Sequence, residues 1–87
     1  MNWRVEIIGA AEREYLDLPD ILRQRIRKKM LDLENTAFPA GAKKLRGTDT
    51  YRLRVGHYRI IYLVNGKIRL VKVLAIGHRR DVYRNIS

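Results

Sequence analysis

The sequence predicts one α+β domain in which a helical hairpin packs on an antiparallel sheet, in the order β-α-α-β-β-β. Residues 50–76 consist of β-rich runs separated by two glycine-containing turns, as expected of hairpin-linked strands. Residues 10–34 instead repeat apolar side chains at three- and four-residue spacing, which indicates two amphipathic helices. A chain of 87 residues has room for one small core, so we expect residues 1–87 to form a single domain.

The N-terminal part is predicted to contain one strand and both helices. Residues 3–8 alternate apolar and charged side chains up to Gly9, and we expect this strand to join the sheet at an edge. The first helix is predicted over Ala10–Leu18 and is ended by Pro19. A second helix, which Asp20 can cap, carries one apolar stripe. The stripe consists of Leu22, Ile26, Met30 and Leu33.

Two turns determine which side chains share a face of the sheet. The dipeptide Gly56-His57 fits the central positions of a type II′ hairpin, with His57 as an ordinary turn residue. This turn places Arg54 opposite Arg59, because antiparallel partners keep a constant sum of residue numbers. The dipeptide Asn65-Gly66 fits a type I′ turn, which would place Arg59 opposite Lys72.

With these registers, the predicted sheet has an apolar face and a basic face. The apolar face, against which the helical hairpin packs, consists of Tyr51, Leu53, Val55, Tyr58, Ile60, Tyr62, Val71 and Val73. The basic face carries Arg52 and a row of three cations on neighbouring strands, Arg54, Arg59 and Lys72. Like charges opposite each other destabilise a sheet, so this row indicates an anionic ligand. Aliphatic side chains share the basic face, and we expect them to form a protein interface: Ile61, Leu63, Ile68, Leu70 and Leu74.

The net charge of +10 lies entirely in the second part of the chain. Residues 1–34 hold seven basic and seven acidic groups, whereas residues 35–87 hold twelve basic groups and two acidic ones. Such segregation predicts a surface that binds a polyanion. Three cations in a predicted loop over residues 35–49 suit backbone phosphates: Lys43, Lys44 and Arg46.

Several classes of protein are disfavoured by composition. The chain has no cysteine, so disulfides and thiolate metal sites are excluded. The second part holds only Asp49 and Asp81 as carboxylates, and we therefore expect no metal and no cofactor. The longest apolar run, Ile60–Val64, is too short to span a membrane, and the N-terminus does not have the pattern of a signal peptide. We expect a cytoplasmic protein.

Four short motifs occur in order along the basic part of the chain. They are Lys44-Leu45-Arg46-Gly47, Tyr51-Arg52-Leu53-Arg54, Tyr58-Arg59-Ile60-Ile61-Tyr62 and Gly77-His78-Arg79-Arg80-Asp81-Val82-Tyr83. With these motifs and the helical hairpin, the chain resembles the RelE toxins of the RelE/ParE toxin–antitoxin superfamily. The resemblance implies a RelE-like fold with a short C-terminal segment that carries a tyrosine. It also implies a type II toxin that cleaves messenger RNA in the ribosomal A site and is neutralised by an antitoxin.

The resemblance further implies a catalytic set. The family's catalytic positions fall on Arg52, Arg54, Arg59, Arg79 and Tyr83. We expect the remaining cations and one histidine to bind RNA: Lys43, Lys44, Arg46, Lys72, His78 and Arg80.

Arginine stands at two positions where the best-known RelE proteins have lysine, namely Arg52 and Arg54. Attack of a 2′-OH on the adjacent phosphate needs no metal, but it needs a base and an acid. Because arginine keeps its proton, we expect these two side chains to hold phosphate, and Tyr83 or His78 to move protons. Arginine at these positions is equally compatible with a weakened enzyme.

Two other functions fit the sequence. A ParE-like inhibitor of DNA gyrase has no nuclease chemistry and would have no chemical reason to assemble the catalytic set. A non-catalytic RNA-binding or ribosome-binding protein accounts for the charge but not for Tyr83. In the toxin interpretation, the partners are the ribosome, its messenger RNA and a cognate antitoxin. We expect an acidic, aliphatic antitoxin segment to cover the basic sheet face as a helix or an added strand.

Overall fold

A computed structural model describes residues 2–78. It contains β1 (Arg4–Ile7), α1 (Gly9–Leu16), α2 (Asp20–Asp32), β2 (Lys43–Lys44), β3 (Thr50–Val55), β4 (Tyr58–Asn65) and β5 (Leu70–His78). The five strands form one sheet in the order β1-β5-β4-β3-β2, in which only the β1–β5 pair is parallel. The predicted α+β fold is confirmed, and β1 lies at an edge as expected. The predicted element order lacks one strand, because β2 lies within the segment of residues 35–49 that was predicted to be a loop. No helix within residues 2–78 is long and apolar enough to cross a membrane.

The second helix buries the predicted apolar stripe against the sheet. Ile26 and Leu33 are fully buried, Met30 is nearly so, and Leu22 packs against this core. From α1, Ala11 is also fully buried. The helical hairpin therefore covers one face of the sheet through a continuous apolar layer.

The junction between the helices differs from the prediction in its details. Helix α1 ends at Leu16, two residues early, and Pro19 occupies the position before α2 with φ −58° and ψ 151°. Asp20 lies inside the first turn of α2, and its carboxylate accepts a hydrogen bond from Arg23. The predicted cap is therefore wrong by one position, because proline already supplies the extended geometry that precedes a helix.

The apolar face of the sheet is confirmed. Six of its predicted residues are buried, Leu53, Val55, Ile60, Tyr62, Val71 and Val73, while Tyr51 and Tyr58 pack against them. Tyr62 is fully buried, and its hydroxyl donates a 2.8 Å hydrogen bond to the carbonyl oxygen of Ala37. Burial, with a smaller contribution from Tyr51, raises the pKa of Tyr62 to about 12.

The β3–β4 hairpin has the predicted register. Val55 pairs with Tyr58, and Arg54 pairs with Arg59. Gly56 has φ 61°, and Arg69 is the only non-glycine residue within residues 2–78 with a positive φ. His57 therefore has a negative φ. A positive φ at the first central residue followed by a negative φ at the second is typical of a type II′ turn.

The β4–β5 connection differs from the prediction. Asn65 pairs with Leu70, so the loop spans residues 66–69 and is not the two-residue turn that the Asn-Gly dipeptide suggested. The Asn65 side-chain oxygen accepts a 3.1 Å hydrogen bond from the amide of Lys67, which stabilises a local turn of another kind. The positive φ, 52°, falls on Arg69, whose carbonyl oxygen accepts a 3.0 Å hydrogen bond from the main chain of Arg4. Docking of the N-terminal strand therefore helps to set this loop.

A bulge in β5 then shifts the register by one more residue. Tyr62 pairs with Val73, whereas Ile61 pairs with Ala75, so Leu74 is the extra residue. Beyond the bulge, the faces exchange: Ile76 joins the core under the helices, and Ala75 packs with Ile61 on the basic face.

Candidate functional site

The sheet face away from the helices gathers four cations from three adjacent strands, here called the basic cluster: Lys43, Arg52, Arg54 and Arg59. Lys43 lies opposite Arg52, and Arg54 lies opposite Arg59. Cross-strand partners share a face, so the four side chains project on the same side. A groove of about 250 Å³ is lined by Gly41 together with Lys43, Arg52 and Arg54.

The strands that form this surface contain no opposite charge. None of the strands β2, β3, β4 and β5 contains an aspartate or a glutamate. Asp49 lies in the loop before β3, and the acidic residue of the sheet, Glu6, lies on β1 next to Arg4. The positive potential of the basic cluster is therefore not neutralised by the strands that carry it. Such a surface attracts anions.

Arg59 is the unusual member of the basic cluster. Its relative accessible surface is 2 %, and its Nε has no hydrogen-bond partner. A buried guanidinium without a carboxylate is costly, and within residues 2–78 no ion pair involves Arg59. An anion bound beside Arg59 would offset this cost. The burial of this side chain could not be read from the alternation of the strand.

A small apolar group lies beside the cations. Ile61 is fully buried, Ala75 is 3 % exposed, and Leu45 packs against them from the segment after β2. The sequence did not lead us to expect Leu45 at the site. Its position between the two cations Lys44 and Arg46 was the signal that could have indicated it.

The predicted aliphatic interface on the basic face is smaller than expected. Ile61 and Leu70 are buried, and Leu63 and Leu74 are half-buried. Ile68 is exposed but belongs to the β4–β5 loop. The face therefore offers a narrow apolar strip next to the basic cluster.

Lys72 does not complete the predicted row of cations. It lies opposite Leu63, and Gly77 takes the place opposite Arg59. Because Leu63 is four residues along β4 from Arg59, the two cations are separated by roughly 13 Å. The predicted row from Arg54 to Lys72 is therefore wrong, because the loop of residues 66–69 and the bulge move the register of β5.

The other candidate residues are dispersed. Lys44 pairs with Tyr51, whose ring belongs to the helix side, and Arg46 is exposed in the loop before β3. His78 pairs with Tyr58 and packs against its ring at 5.7 Å, so it also lies on the helix side of the sheet. Three further candidates, Arg79, Arg80 and Tyr83, lie outside the described residues.

Comparison with known proteins identifies the family. Residues 5–83 match the family described as the ParE toxin of the type II toxin–antitoxin system parDE. Archaeal RelE from Pyrococcus horikoshii, solved in complex with RelB, is 30 % identical, with 93 % of this chain and 99 % of that chain covered and a TM-score of 0.79. A Methanocaldococcus jannaschii protein named as a candidate RelE1 toxin is 28 % identical over 98 % of this chain and 99 % of its own.

The fold is shared with bacterial RelE as well. A double-mutant Escherichia coli RelE in the free state covers all of both chains at 22 % identity and a TM-score of 0.79. These findings agree with the helical hairpin packed on a five-stranded sheet. The chain therefore belongs to the RelE/ParE superfamily of toxins of type II toxin–antitoxin systems.

Proposed function

We propose that this toxin is a ribosome-dependent endoribonuclease that cleaves messenger RNA in the cytoplasm and thereby inhibits translation. The observation that supports the proposal most strongly is the pair of Arg54 and Arg59. One guanidinium is exposed, the other is buried with an unpartnered Nε, and the strands around them carry no acid. A phosphodiester in the act of cleavage is the kind of anion that such a pair stabilises.

The proposed reaction is an internal transfer at phosphorus. The ribose 2′ oxygen loses its proton and bonds to the adjacent phosphorus, the bond from phosphorus to the 5′ oxygen breaks, and that oxygen takes up a proton. The products are a 2′,3′-cyclic phosphate and a 5′-hydroxyl end. Negative charge increases on the non-bridging oxygens during the attack, and the cross-strand pair of Arg54 and Arg59 would stabilise it. Arg52 and Lys43, which line the neighbouring groove, would hold the next phosphate.

Proton transfer requires a group other than arginine. His78 lies on the helix side with Tyr58, away from Arg54 and Arg59. Of the two proton carriers expected from the sequence, this placement favours Tyr83, which together with Arg79 would complete the catalytic set. A tyrosine can also stack on an unpaired base, so Tyr83→Phe should separate these roles, because phenylalanine retains the ring and removes the proton.

The partner that we propose for inhibition is an antitoxin. The RelE proteins of P. horikoshii and E. coli were solved in complex with RelB antitoxins. In this chain, an acidic segment could pair with Arg54 and Arg59 while its aliphatic residues covered Leu45 and the strip beside it. Such a segment would occupy the place of the RNA phosphate.

The match to the ParE family supports a second candidate function, inhibition of DNA gyrase. The two candidates are distinguished by adding the purified toxin in parallel to programmed ribosomes and to a gyrase supercoiling assay. The nuclease proposal expects new RNA ends in the A-site codon and unaffected supercoiling. Loss of supercoiling without new RNA ends would contradict it.

A further inference from the structure

A second group of hydrogen-bond donors lies on the helix side of the sheet, at the β3–β4 turn. It consists of Arg25 from α2, His57 from the turn and His78 at the end of β5. We propose that these three side chains form a phosphate-binding subsite, which receives the RNA backbone where it passes around the turn from the basic cluster. The inference rests on the RNA substrate proposed above.

The two histidines form one patch. Their ring centroids are 6.5 Å apart, with the ring planes inclined by 23°, and both side chains are exposed. The ring of Tyr58 meets His78 edge-on at 5.7 Å and supports it from the strand opposite. Each imidazole has an N–H donor in either protonation state. The patch can therefore donate two adjacent hydrogen bonds to one anionic group.

His78 reaches this patch because of the bulge in β5. With uninterrupted alternation from Lys72, His78 would project on the basic face. The extra residue, Leu74, shifts the pairing so that His78 lies opposite Tyr58, on the helix side. The bulge thus places His78 on the helix side of the sheet, whereas uninterrupted alternation would place it on the basic face.

Arg25 adds a permanent charge next to the histidines. A Cβ atom on Gly56 would lie 3.8 Å from Nη2 and 3.9 Å from Nη1 of Arg25, so the guanidinium lies against the turn beside His57. Within residues 2–78, the guanidinium of Arg25 forms no ion pair or hydrogen bond. Its neighbour Arg23, in contrast, bonds to Asp20 and to the carbonyl oxygen of Leu16. Arg25 is thus available to an external anion.

The subsite and the basic cluster are neighbours through the hairpin. Arg54 and Arg59 are one residue pair from the turn on the basic face, and Val55 and Tyr58 form the last pair before it. The two groups of donors lie on opposite faces of the sheet at the same end of this hairpin. A flexible chain with repeating phosphates can bind both, whereas Arg25 would repel a metal ion held by the histidines. A single-stranded polynucleotide is therefore the ligand that fits this arrangement.

The test is a binding titration with a fluorescent 12-nucleotide 2′-O-methyl RNA, which cannot undergo 2′-OH attack. Anisotropy is measured over a series of salt concentrations for the wild type, Arg25→Gln and the double variant His57→Ala/His78→Ala. Arg27→Gln is the matched control. It also removes one positive charge from α2, but Arg27 lies on the other side of the helix, beside Met30 and Leu31. Thermal unfolding verifies that each variant is folded.

We expect Arg25→Gln to weaken binding by threefold to tenfold and to reduce the steepness of log affinity against log salt by about 0.7. The histidine double variant should also weaken binding, and Arg27→Gln should remain within twofold of the wild type. If Arg25→Gln binds the RNA as tightly as Arg27→Gln does, while Arg54→Gln binds it more weakly than the wild type, the subsite is refuted and the proposed function stands.

If neither Arg25→Gln nor Arg54→Gln changes affinity, the RNA surface and the subsite are both refuted. An acidic peptide with the same net charge as the RNA provides the remaining comparison. If the peptide binds as tightly as the RNA and depends equally on Arg25, the subsite belongs to a protein partner and the proposal is wrong.

Discussion

Arg54 and Arg59 lie directly opposite each other on β3 and β4, and the first is exposed whereas the second retains 2 % of its accessible surface. Two like charges in this position destabilise the hairpin, and burial of one of them adds a larger cost. A chain selected for stability alone would not be expected to keep this pair. The cost is understandable if the pair binds an anion.

Removal of the buried charge should stabilise the free toxin. Replacement of buried ionic groups by apolar ones of similar size is often neutral or stabilising by about 1–4 kcal/mol. We expect Arg59→Met to raise the midpoint of urea unfolding, and Arg54→Met, which relieves only the repulsion between the paired charges, to raise it less. A lower midpoint for Arg59→Met would mean that the guanidinium stabilises the fold itself.

The two glycine-containing connections should respond differently to alanine. Gly56 has φ 61°, so Gly56→Ala should destabilise the protein by about 1–2 kcal/mol. Gly66 does not have a positive φ, and a Cβ atom there would meet no atom within 4 Å. Gly66→Ala should therefore be neutral or stabilising by up to about 1 kcal/mol. If urea unfolding shows that Gly66→Ala destabilises the protein as much as Gly56→Ala does, a type I′ turn at Asn65-Gly66 would be supported instead.

Tyr62 should make stability depend on pH in the alkaline range. Its pKa is raised from 10.0 to about 12 in the folded protein, so below pH 10 the phenol is protonated in both states. Between pH 10 and 12 the unfolded chain releases this proton first, and the free energy of unfolding should decrease by roughly 2–3 kcal/mol.

The matched variant for this effect is Tyr62→Phe. It removes the hydrogen bond to Ala37 and should cost about 1 kcal/mol at neutral pH. Because phenylalanine does not titrate, the stability advantage of the wild type should disappear and then reverse between pH 10 and 12. An advantage that stays constant over this range would show that the Tyr62 phenol does not titrate differently in the two states.

The parts of the fold that were predictable depend on local chemistry. The β3–β4 hairpin follows from Gly56, since a two-residue loop with glycine first allows essentially one register. The helix stripe of Ile26, Met30 and Leu33 follows from its spacing alone. The hairpin alone was sufficient to place Arg54 opposite Arg59.

The parts that were not predictable depend on distant contacts. The β4–β5 loop is set partly by the hydrogen bond from Arg4 to Arg69, which joins residues far apart in the sequence. The bulge at Leu74 lies in a run of apolar residues whose alternation gives no sign of it. Next to the bulge, Glu14 of α1 accepts a 3.0 Å hydrogen bond from the amide of Ile76, which is a contact between residues far apart in the sequence. These two features moved Lys72 away from its predicted place opposite Arg59.

One member of the basic cluster was assigned to the wrong kind of element. Lys43 was predicted to bind RNA from a loop, but it lies in β2 opposite Arg52. A strand of two residues is too short to show a period of two, so sequence patterning could not identify it.

The most direct test of the proposed function is the single-turnover rate of messenger RNA cleavage on programmed ribosomes. The comparison is between Arg54→Ala and Lys67→Ala, which removes the same charge at an exposed position in the β4–β5 loop. We predict that Arg54→Ala slows cleavage by about tenfold or more with little change in the thermal midpoint, and that Lys67→Ala cleaves like the wild type. Equal rates for both variants, or no cleavage by the wild type, would contradict the proposal that the basic cluster performs this reaction.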